Sequence, residues 1–500
     1  YANPYYVRHR FQNSDERWRA FGYYGANVNI TDWLKFNAKY AFDYYRTRIQ
    51  TSDLSLGNSA VSTPGKHWSE IVTDDNMSRS EENNFEHNIS FLFLGDNQIT
   101  KDLRLGYNLG ANIMYQKYEV LGASTKNMLE KDNWIFSTGY QLTSASENGH
   151  ERSMYSVFGS LQLAFREYLS LDLTARNDWS STLPVDNRSY FYPSVSGAFA
   201  FTQLLQDLDV MNNDILTFGK IRASWARVGK DTNPYVTNTY LWPVGTFLGG
   251  VTGVGNSWQR GNPYLKPEIT ESTELGLELR FFKNRLKFDY AYYTNNSYNQ
   301  ILTPRLSNGS GYILYSVNAG DVYNKGMELS ISGTPIQTKD WTWETGINLS
   351  GNRGTVGNLL DGCEILYVTD VQVGNAKAAS FNDGNFMAIS GSRWTRTADG
   401  KVVLDTNGMP TSDSETKYEL GNREPKFQGG WNNTLTWKNF TFNMLWEFRV
   451  GGDVFNGTQY AMDQTGTSTF SADVRNQPLT VSGVDASGNP VTNTWKADQV

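Results

Sequence analysis

The side chains that most often carry out catalysis are few in this sequence, and their spacing suits no familiar reaction centre. There are 4 histidines in 500 residues, and none forms an H-E-x-x-H or another paired-ligand spacing. No G-x-S-x-G elbow occurs. Gly229-Lys230-Asp231-Thr232 lacks the upstream glycine and the adjoining hydroxyl of a phosphate-binding loop. The sequence therefore predicts a protein that is not an enzyme.

Metal and cofactor sites are also poorly supported. Asp405-Thr406-Asn407-Gly408 resembles the first part of a calcium loop, but the glutamate that would complete the loop is missing at the expected spacing. Asp, Asn and Gly favour turns for backbone reasons, so we interpret this segment as a turn. The glycine-rich stretch 245–255 lacks the strand and helix of a phosphate cradle and is interpreted as an external loop. The single cysteine, Cys363, excludes an internal disulfide and a thiolate metal site. We expect no cofactor.

Aromatic residues in polar segments are better candidates for binding. Trp242, Trp258, Tyr264 and Trp394 lie in stretches rich in Gly, Asn, Ser and Thr. Flat aromatic faces stack on the C–H faces of sugar rings, beside amides and hydroxyls that supply hydrogen bonds. The same residues could instead pack within their own loops or against a partner protein. Both alternatives stay open, and the four residues are candidate substrate or partner contacts.

Charged side chains recur at alternate positions in otherwise apolar segments, as at Glu278, Arg280, Glu447 and Arg449. They could form a hydrated wall, in which charges keep water and pair locally, or they could contact a substrate directly. We favour the hydrated wall for any single residue, because polar barrel interiors carry such charges without a ligand.

The elements that position these residues are predicted to be β-strands. Apolar and polar residues alternate over 34–44, 275–281, 341–350 and 440–450. A period of two indicates strands with one apolar and one polar face. These runs reach about ten residues, the length that a tilted strand needs to cross a bilayer. Strands of soluble proteins usually have about five or six. Aromatic residues near the ends, among them Tyr44, Tyr45, Tyr293, Trp437 and Trp446, fit girdles at the two membrane interfaces.

The alternation assigns each residue to a face. Mean hydropathy is -0.52 and no apolar run approaches the roughly 18 residues of a spanning helix, as expected when unlike faces average out. The side chains predicted to face lipid are Phe36, Phe42, Leu277, Phe281, Phe288, Trp343, Phe442 and Trp446. Those predicted to face the lumen are Lys35, Glu278, Arg280, Glu344, Glu447 and Arg449.

The connections between strands fall into two classes. Tight turns occur at Thr31-Asp32, at 282–285 and at Lys438-Asn439, and they separate longer polar segments. We predict long extracellular loops at 51–82, 119–152, 230–268, 354–426 and 451–500. Outer-membrane barrels place short turns at the periplasmic rim and long loops outside. Residues 1–500 are therefore interpreted as one transmembrane antiparallel β-barrel domain, with about fourteen of the 22 strands of plugged outer-membrane transporters.

The charge pattern excludes another class of partner. The formal net charge is -7, and no basic block or basic amphipathic stretch is present, so nucleic acid is not expected to bind.

Tyr1 is not an initiator residue, and no signal segment precedes it. We therefore expect the sequence to be a piece of a longer chain.

Several segments, in order along the chain, resemble the SusC/RagA family of glycan and peptide importers of Bacteroidetes. They are ARNDWSSTL at 175–183, YFYPSVS at 190–196, GKIRASW at 219–225, NPYLKPE at 262–268, NAG at 318–320, NKGMEL at 324–329 and GNREPKF at 421–427. Each is weak alone, but the ordered series spans much of the chain. The resemblance implies an all-β, 22-stranded barrel in the outer membrane, with an N-terminal plug that this sequence does not contain. It also implies energy supplied by TonB through the missing N-terminal region, and a SusD-like surface lipoprotein as a cap.

The expected function is outer-membrane binding and TonB-dependent import of a nutrient, an oligosaccharide or alternatively a peptide, without covalent change to the cargo. A passive outer-membrane porin is one alternative, and a count of 16–18 strands would favour it. A soluble all-β binding or adhesion protein is the other, with short strands packed against a second sheet. The sequence does not name the cargo.

Overall fold

The computed structural model describes residues 5, 8–9, 11–56, 73–128, 134–210, 215–246, 250–368, 372–412 and 417–495. The strands of the first part are β1 Gln12–Asn29, β2 Leu34–Leu56, β3 Thr73–Gln98, β4 Leu103–Met128, β5 Gly139–Phe165, β6 Leu169–Ser180, β7 Ser189–Phe199, β8 Leu216–Lys230, β9 Leu241–Thr246, β10 Thr252–Asn256, β11 Gln259–Arg260, β12 Glu268–Phe281, β13 Leu286–Tyr298 and β14 Ile301–Leu302. Those that follow are β15 Leu314–Tyr315, β16 Val317–Asn318, β17 Asp321–Gln337, β18 Trp341–Gly357, β19 Ile365–Tyr367, β20 Lys377–Phe381, β21 Gly384–Asn385, β22 Ala388–Gly391, β23 Tyr418–Asn422, β24 Phe427–Trp437, β25 Phe440–Val450, β26 Leu479–Val484 and β27 Pro490–Trp495. The α-helices are α1 Phe201–Asp207, α2 Gly457–Thr465 and α3 Thr469–Val474, and short 3-10 turns cover Phe136–Thr138 and Asn308–Ser310.

One antiparallel sheet dominates the described part of the chain. Its hydrogen-bonded order is β1-β2-β3-β4-β5-β6-β7-β8-β12-β13-β17-β18-β24-β25, with β21 attached to β18. Each strand of this path pairs with the next path strand along the sequence, so β1 and β25 are the two edges. The predicted all-β barrel of about fourteen strands is confirmed as a partial barrel.

The two faces of the sheet have opposite character. Phe288, Ile331, Ile347, Trp431 and Trp446 lie side by side in register on five successive strands. The neighbouring row on the other face is Asp289, Ser330, Asn348, Gly430 and Glu447. The strand pairing places all residues predicted to face lipid on the apolar face, and all residues predicted to face the lumen on the polar face.

The connections alternate between two rims. Residues 30–33, 99–102, 166–168, 200–215, 282–285, 338–340 and 438–439 join strands at one rim, here called the tight rim. Residues 57–72, 129–138, 181–188, 231–267, 299–320 and 358–426 join strands at the opposite loop rim, where β25 also ends. Segment 200–215 is the longest link at the tight rim and contains α1, whose buried Thr202 hydroxyl accepts from the Gly219 amide at 2.9 Å.

Two predicted loops are largely strand, which corrects their boundaries. Strand covers 51–56 and 73–82 of the predicted loop 51–82, and 119–128 and 139–152 of the predicted loop 119–152. The hairpins β2–β3 and β4–β5 thus have strands of 23 to 27 residues. The upper parts are polar on both faces, with Arg46 and Arg48 bound to Glu81 at 2.5 and 3.1 Å. The backbone hydrogen bonds between the strands continue beyond the end of the apolar face. The alternation of apolar and polar residues therefore stops in the sequence before the strands end.

The other predicted long loops contain small elements of their own. Segment 231–267 holds the β9–β10 hairpin, and 358–426 holds a four-stranded sheet of order β19-β20-β22-β23. In the C-terminal segment, β26 pairs with β27 and lies beside Val402, whose carbonyl accepts from the Val484 amide at 2.9 Å. The longest helix of the described residues has 9 residues, and no helix among them is long and apolar enough to cross a membrane.

Aromatic rings gather on the apolar face near both rims. At the tight rim Trp341 stacks on Trp437 with ring centres 5.6 Å apart, and Trp437 stacks on Phe440 at 6.0 Å. Towards the loop rim Tyr44 contacts Trp18 and Phe85 at 5.7 and 6.0 Å. These clusters mark the two interfaces of the membrane-spanning band.

Three predicted girdle residues lie elsewhere. Tyr45 is on the polar face beside Asn84, and the Tyr293 hydroxyl donates to Asn352 on that face at 3.2 Å. Trp446 is six positions from the tight-rim end of β25 and lies between the two aromatic clusters.

Candidate binding surface at the loop rim

The most elaborate polar contact of the loop rim is built around Asp231, which is 9% exposed. Arg152 Nη2 donates to both carboxylate oxygens at 2.8 and 2.9 Å. The hydroxyls of Ser180 and Thr182 donate to Oδ2 at 2.5 and 3.0 Å. Arg152 belongs to β5, the two hydroxyls flank the end of β6, and Asp231 follows β8. One carboxylate thus fastens together the rim ends of three separate strands.

An apolar cluster lies beside this carboxylate. Leu183, Tyr190 and Leu265 are buried together, and Tyr192, Val236 and Ile301 pack against them. The Tyr192 hydroxyl donates to Asp178 at 2.5 Å, and Arg176 Nε donates to the other oxygen of Asp178 at 2.8 Å. The segments ARNDWSSTL and YFYPSVS therefore meet in one packed cluster at the rim.

The segment NPYLKPE is fixed to the neighbouring connection by a reciprocal amide contact. The Asn318 side chain accepts from the Lys266 amide and donates to the Lys266 carbonyl, both at 2.8 Å. Glu268 accepts from the Ile301 amide at 2.9 Å and from Lys230 Nζ at 3.1 Å. The connections after β8 and after β13 therefore support each other.

A second carboxylate, Glu424, anchors the last connection of the sheet. Its Oε1 accepts from Asn352 Nδ2 at 2.5 Å, and its Oε2 accepts from the Gly354 amide at 2.8 Å. The Asn352 amide also donates to Asn324 Oδ1 at 3.3 Å. Asn324 begins the segment NKGMEL and Glu424 lies in GNREPKF, so two distant segments meet above β18.

Sequence reasoning identified these segments as family motifs but missed what their residues do. Asp231 belongs to Gly229-Lys230-Asp231-Thr232, which lacks two features of a phosphate-binding loop. In the structure its buried carboxylate binds Arg152 and Ser180. Its neighbours occupy its carboxylate, which leaves it unsuited to ligand chemistry. Polar motifs recur directly after predicted strands, and this recurrence could have indicated the contacts. Polar groups that become buried at the ends of strands must form hydrogen bonds with one another.

The predicted contact residues all lie at the loop rim and are exposed. Trp242 is 49% exposed, Trp258 65%, Tyr264 78% and Trp394 52%. The first three share connection 231–267, whereas Trp394 lies in connection 358–426. Three of the four therefore share one connection and Trp394 lies in another, as the predicted loops 230–268 and 354–426 imply. Among the described residues no ring-to-ring contact joins any of the four.

Connection 231–267 has an unusual surface. Residues 232–258 include no Asp, Glu, Lys, Arg or His. Its β9–β10 hairpin exposes Leu241, Val244 and Val254 beside Trp242. The carbonyl of Trp258 accepts from the amides of Ile313 and Leu314 at 2.9 Å, so the hairpin rests on the next connection. The loop offers a neutral, partly aromatic face on a fixed base.

Charged residues of the polar face pair mainly with one another. Glu278 binds Lys220 at 2.7 Å and Arg280 at 2.6 Å, and Arg222 binds Asp289 at 2.8 Å. Arg449 Nη2 donates to the Arg423 carbonyl at 2.6 Å. This pairing agrees with a hydrated wall. A polar cavity of about 570 Å³ beside Arg222 and Asp289 gives that wall room for water.

The candidate calcium segment is a turn. Asp405 Oδ1 accepts from the amides of Asn407 and Met409, both at 2.8 Å. Across the described ranges, no group of three or more His, Cys, Asp or Glu side chains is placed to hold a metal ion. Burial raises the pKa of the Cys363 thiol, which disfavours the thiolate that metals require.

A wide antiparallel sheet with one lipid-compatible face, one hydrated face and its longer loops at one rim defines an outer-membrane β-barrel. The family model for the TonB dependent receptor-like beta-barrel matches residues 1–496, and the chain belongs to that family. It is located in the outer membrane. This membership excludes the soluble alternative and places the chain among TonB-dependent receptors rather than passive porins.

Curated relatives agree with the resemblance seen in the motifs. TonB-dependent receptor P3 of Formosa agariphila is 27% identical over 425 residues, which are 78% of this chain and 42% of the relative. TonB-dependent receptor SusC of Bacteroides thetaiotaomicron is 26% identical over 381 residues, which are 67% of this chain and 37% of that protein. The chain thus spans less than half the length of these relatives.

Solved structures support the fold. The RagAB peptide importer in its closed-closed state matches with a TM-score of 0.74 at 20% identity, over 90% of this chain and 49% of the other. At that identity the match shows a shared barrel fold.

Proposed function

We propose that the full-length protein binds a nutrient at the loop rim and imports it across the outer membrane with energy supplied through TonB. The barrel would form the passage, and a plug contributed by the rest of the protein would close it at rest. The observation that carries the proposal is the exposed surface of the described residues within 232–258, which has no charged side chain and lies on a rim fastened by the buried Asp231 and the half-buried Glu268. A SusD-like surface lipoprotein is the proposed partner at this rim, in line with the similarity to SusC.

An oligosaccharide is the cargo that this surface suits best. Trp242, Trp258 and Tyr264 present flat apolar faces, which bind the C–H faces of sugar rings. Residues 232–258 offer no charge to a charged cargo, whereas amides and hydroxyls in the same segment match sugar hydroxyls. A peptide is the second candidate, supported by the fold shared with the RagAB peptide importer.

Substitution of the exposed aromatics in the full-length transporter tests the proposal. Changing Trp242, Trp258, Tyr264 and Trp394 together to Ala should lower uptake and cargo binding at least tenfold, while the barrel still folds. The matched control is Trp33→Ala, an exposed aromatic at the tight rim, which should leave both unchanged. Each of the four substitutions is also made alone. Cargo binding and lipoprotein association are then measured separately with purified components, which shows which of the two each aromatic residue supports.

Two results would contradict the proposal. Normal uptake and normal lipoprotein association in the fourfold variant would remove the aromatic surface from function. Uptake that persists when TonB is absent would favour passive diffusion through the barrel instead.

A further inference from the structure

A groove lies on the apolar, lipid-facing side of the sheet near the tight rim. It crosses β17 and β18, has a volume of about 620 Å³ and belongs to neither the loop rim nor the polar face. Its walls include Leu286, Ile331, Ile347 and Trp431, all on the apolar face by strand register. The surface faces acyl chains rather than water, because these strands span the membrane.

A glycine lies at the floor of the groove. Gly333 stands between Leu286 and Thr345 in one register row, and a Cβ there would lie 2.7 Å from the Arg285 carbonyl oxygen. The next row towards the loop rim is filled by the bulky Ile331 and Ile347. The register of β17 shifts between Gly333 and Ile336, and Pro335 lines the groove at this irregularity. The result is a channel that opens towards the tight rim.

Two polar side chains that line the groove bind each other. The Trp431 indole N–H donates to Thr345 Oγ1 at 3.0 Å. The remaining lining is chiefly aliphatic and aromatic, so the occupant of the channel must itself be apolar along its length. A hydrocarbon chain fits this requirement, and filling the channel recovers the dispersion contacts that an empty groove would lose.

A fixed cation stands at the open end. Arg285, in the tight-rim turn 282–285, also lines the groove. Its Nη2 donates to the carbonyls of Thr334 and Pro335 at 3.2 Å, and its Nε donates to the Thr334 carbonyl at 3.3 Å. These bonds orient the guanidinium, and none of its hydrogen bonds to the described residues uses Nη1. Within the described ranges the guanidinium forms no ion pair with a carboxylate.

The level of Arg285 matches the membrane interface. The Trp341, Trp437 and Phe440 stack marks the tight rim, and aromatic girdles lie at the height of lipid headgroups. The guanidinium of arginine is always charged and binds phosphate through charge-assisted hydrogen bonds, which Nη1 of Arg285 can supply. An apolar channel that ends at an oriented guanidinium therefore has the chemistry of a lipid with a phosphate headgroup.

We propose that this groove is a binding site for a phospholipid of the periplasmic leaflet, with one acyl chain over Gly333 and Thr345 and the headgroup phosphate on Arg285. The inference goes beyond the proposed import function and does not depend on it. The bound lipid would fix the β17–β18 region and the tight-rim turn relative to the bilayer.

The test uses the full-length transporter, purified in mild detergent and stripped of lipid. Phosphatidylglycerol with brominated acyl chains is titrated in, and quenching of Trp431 is read, for the native protein and for every variant, as the difference between that protein and the same protein carrying Trp431→Phe. Saturable quenching is expected. Arg285→Gln should weaken the apparent affinity about tenfold, the value of one charge-assisted contact. Ile331→Trp, which fills the channel, should abolish the saturable component.

Matched controls lie on the same face and the same rim. Ala223→Trp adds the same bulk at an exposed apolar-face position outside the groove, and Arg166→Gln removes an arginine from another tight turn. Both should bind phosphatidylglycerol as the native protein does. Retained folding of each variant is checked by heat-dependent mobility on gels. Because Arg285 is exposed, its substitution should leave the fold intact.

Three outcomes would overturn the proposal. Arg285→Gln and Ile331→Trp could both bind phosphatidylglycerol with native affinity. Lipid A, the phosphate-bearing lipid of the outer leaflet, could displace phosphatidylglycerol from the groove at lower concentration. A second copy of the chain could cover the groove, which would appear as a dimer in lipid nanodiscs that Ile331→Trp dissociates.

Discussion

Replacement of Asp231 by Ala should loosen the loop rim without unfolding the barrel. The change removes a carboxylate that is 9% exposed and accepts from Arg152, Ser180 and Thr182. Breaking a buried pair by deleting one partner costs about 3–5 kcal/mol. The Arg152 side chain is 28% exposed, so water recovers part of that cost. Ser180 and Thr182 remain buried and lose the carboxylate acceptor, although their hydroxyl oxygens lie 3.0 Å apart and one can still donate to the other. We expect about 3 kcal/mol.

Native-state hydrogen exchange in the full-length protein measures this loss where it occurs. The amide of Glu151 donates to the Tyr235 hydroxyl, and that of Ser153 donates to Ser181 Oγ, so both report on the anchored rim. A loss of about 3 kcal/mol corresponds to an increase of about a hundredfold in their exchange rates. Amides in the middle of β5 and β6 should exchange as in the native protein.

Two comparison variants sharpen the interpretation. Asp186→Ala removes an exposed carboxylate from the adjacent connection and should change exchange little, within about 0.5 kcal/mol. The double variant Arg152→Met with Asp231→Ala removes both charges and should recover part of the loss, because no buried cation is left unpaired. Native exchange in Asp231→Ala, or a double variant worse than the single one, would refute the anchoring argument.

The remaining predictions concern the membrane face, the second anchor and the acid range. Leu277→Arg, placed between Ile221 and Tyr290 on the apolar face, should cost about 2–4 kcal/mol in barrel-folding assays. Asn348→Arg on the polar face should cost little, and equal costs would mean that the faces are assigned wrongly. Glu424→Ala should raise exchange of the Gly354 amide about tenfold, whereas Glu424→Asp should retain part of the protection. The Thr397 hydroxyl and Lys401 hold the pKa of Asp399 at about 2, below its unfolded value of about 4. Its contribution to turn 397–401 is therefore complete above about pH 4 and lost as pH falls towards 2, and exchange of the Lys401 amide should rise there in the native protein but not in Asp399→Asn.

The membrane-spanning part of the fold could be predicted well from the sequence. A strand between lipid and water must alternate in polarity. The faces of Leu277 and Glu278 can therefore be assigned from their residue types alone, before the neighbouring strands are known. The same rule fails above the membrane, where the upper parts of β2 to β5 have water on both sides. There the strands are held by the backbone ladder and by pairs such as Arg46 with Glu81, which leave no periodic trace.

The anchors of the rim could not be predicted, for a related reason. Asp231 and Arg152 are far apart in sequence, and so are Glu424 and Asn352. Each partner alone is an ordinary polar residue of a polar segment. Only the register of the intervening strands, which depends on every hairpin between them, brings the pairs together. The aromatic candidates Trp242, Trp258, Tyr264 and Trp394 could be selected by composition, and the predicted loops 230–268 and 354–426 already placed three of them together and Trp394 apart. Their exposure required the structure.

The division between anchors and exposed surface bears on where cargo choice resides. The segments that carry the family resemblance supply Asp178, Ser180, Thr182, Lys266 and Glu424, and their polar groups are bound within the protein at the rim. Such residues fix the bases of the loops but leave little free chemistry for a ligand. Of the four exposed candidate aromatics, Trp242, Trp258 and Trp394 lie outside those segments, whereas Tyr264 belongs to NPYLKPE. Relatives could therefore keep the same rim and exchange the surface above it, and recognition of cargo by this chain should follow residues 232–258 rather than the motifs that define its family.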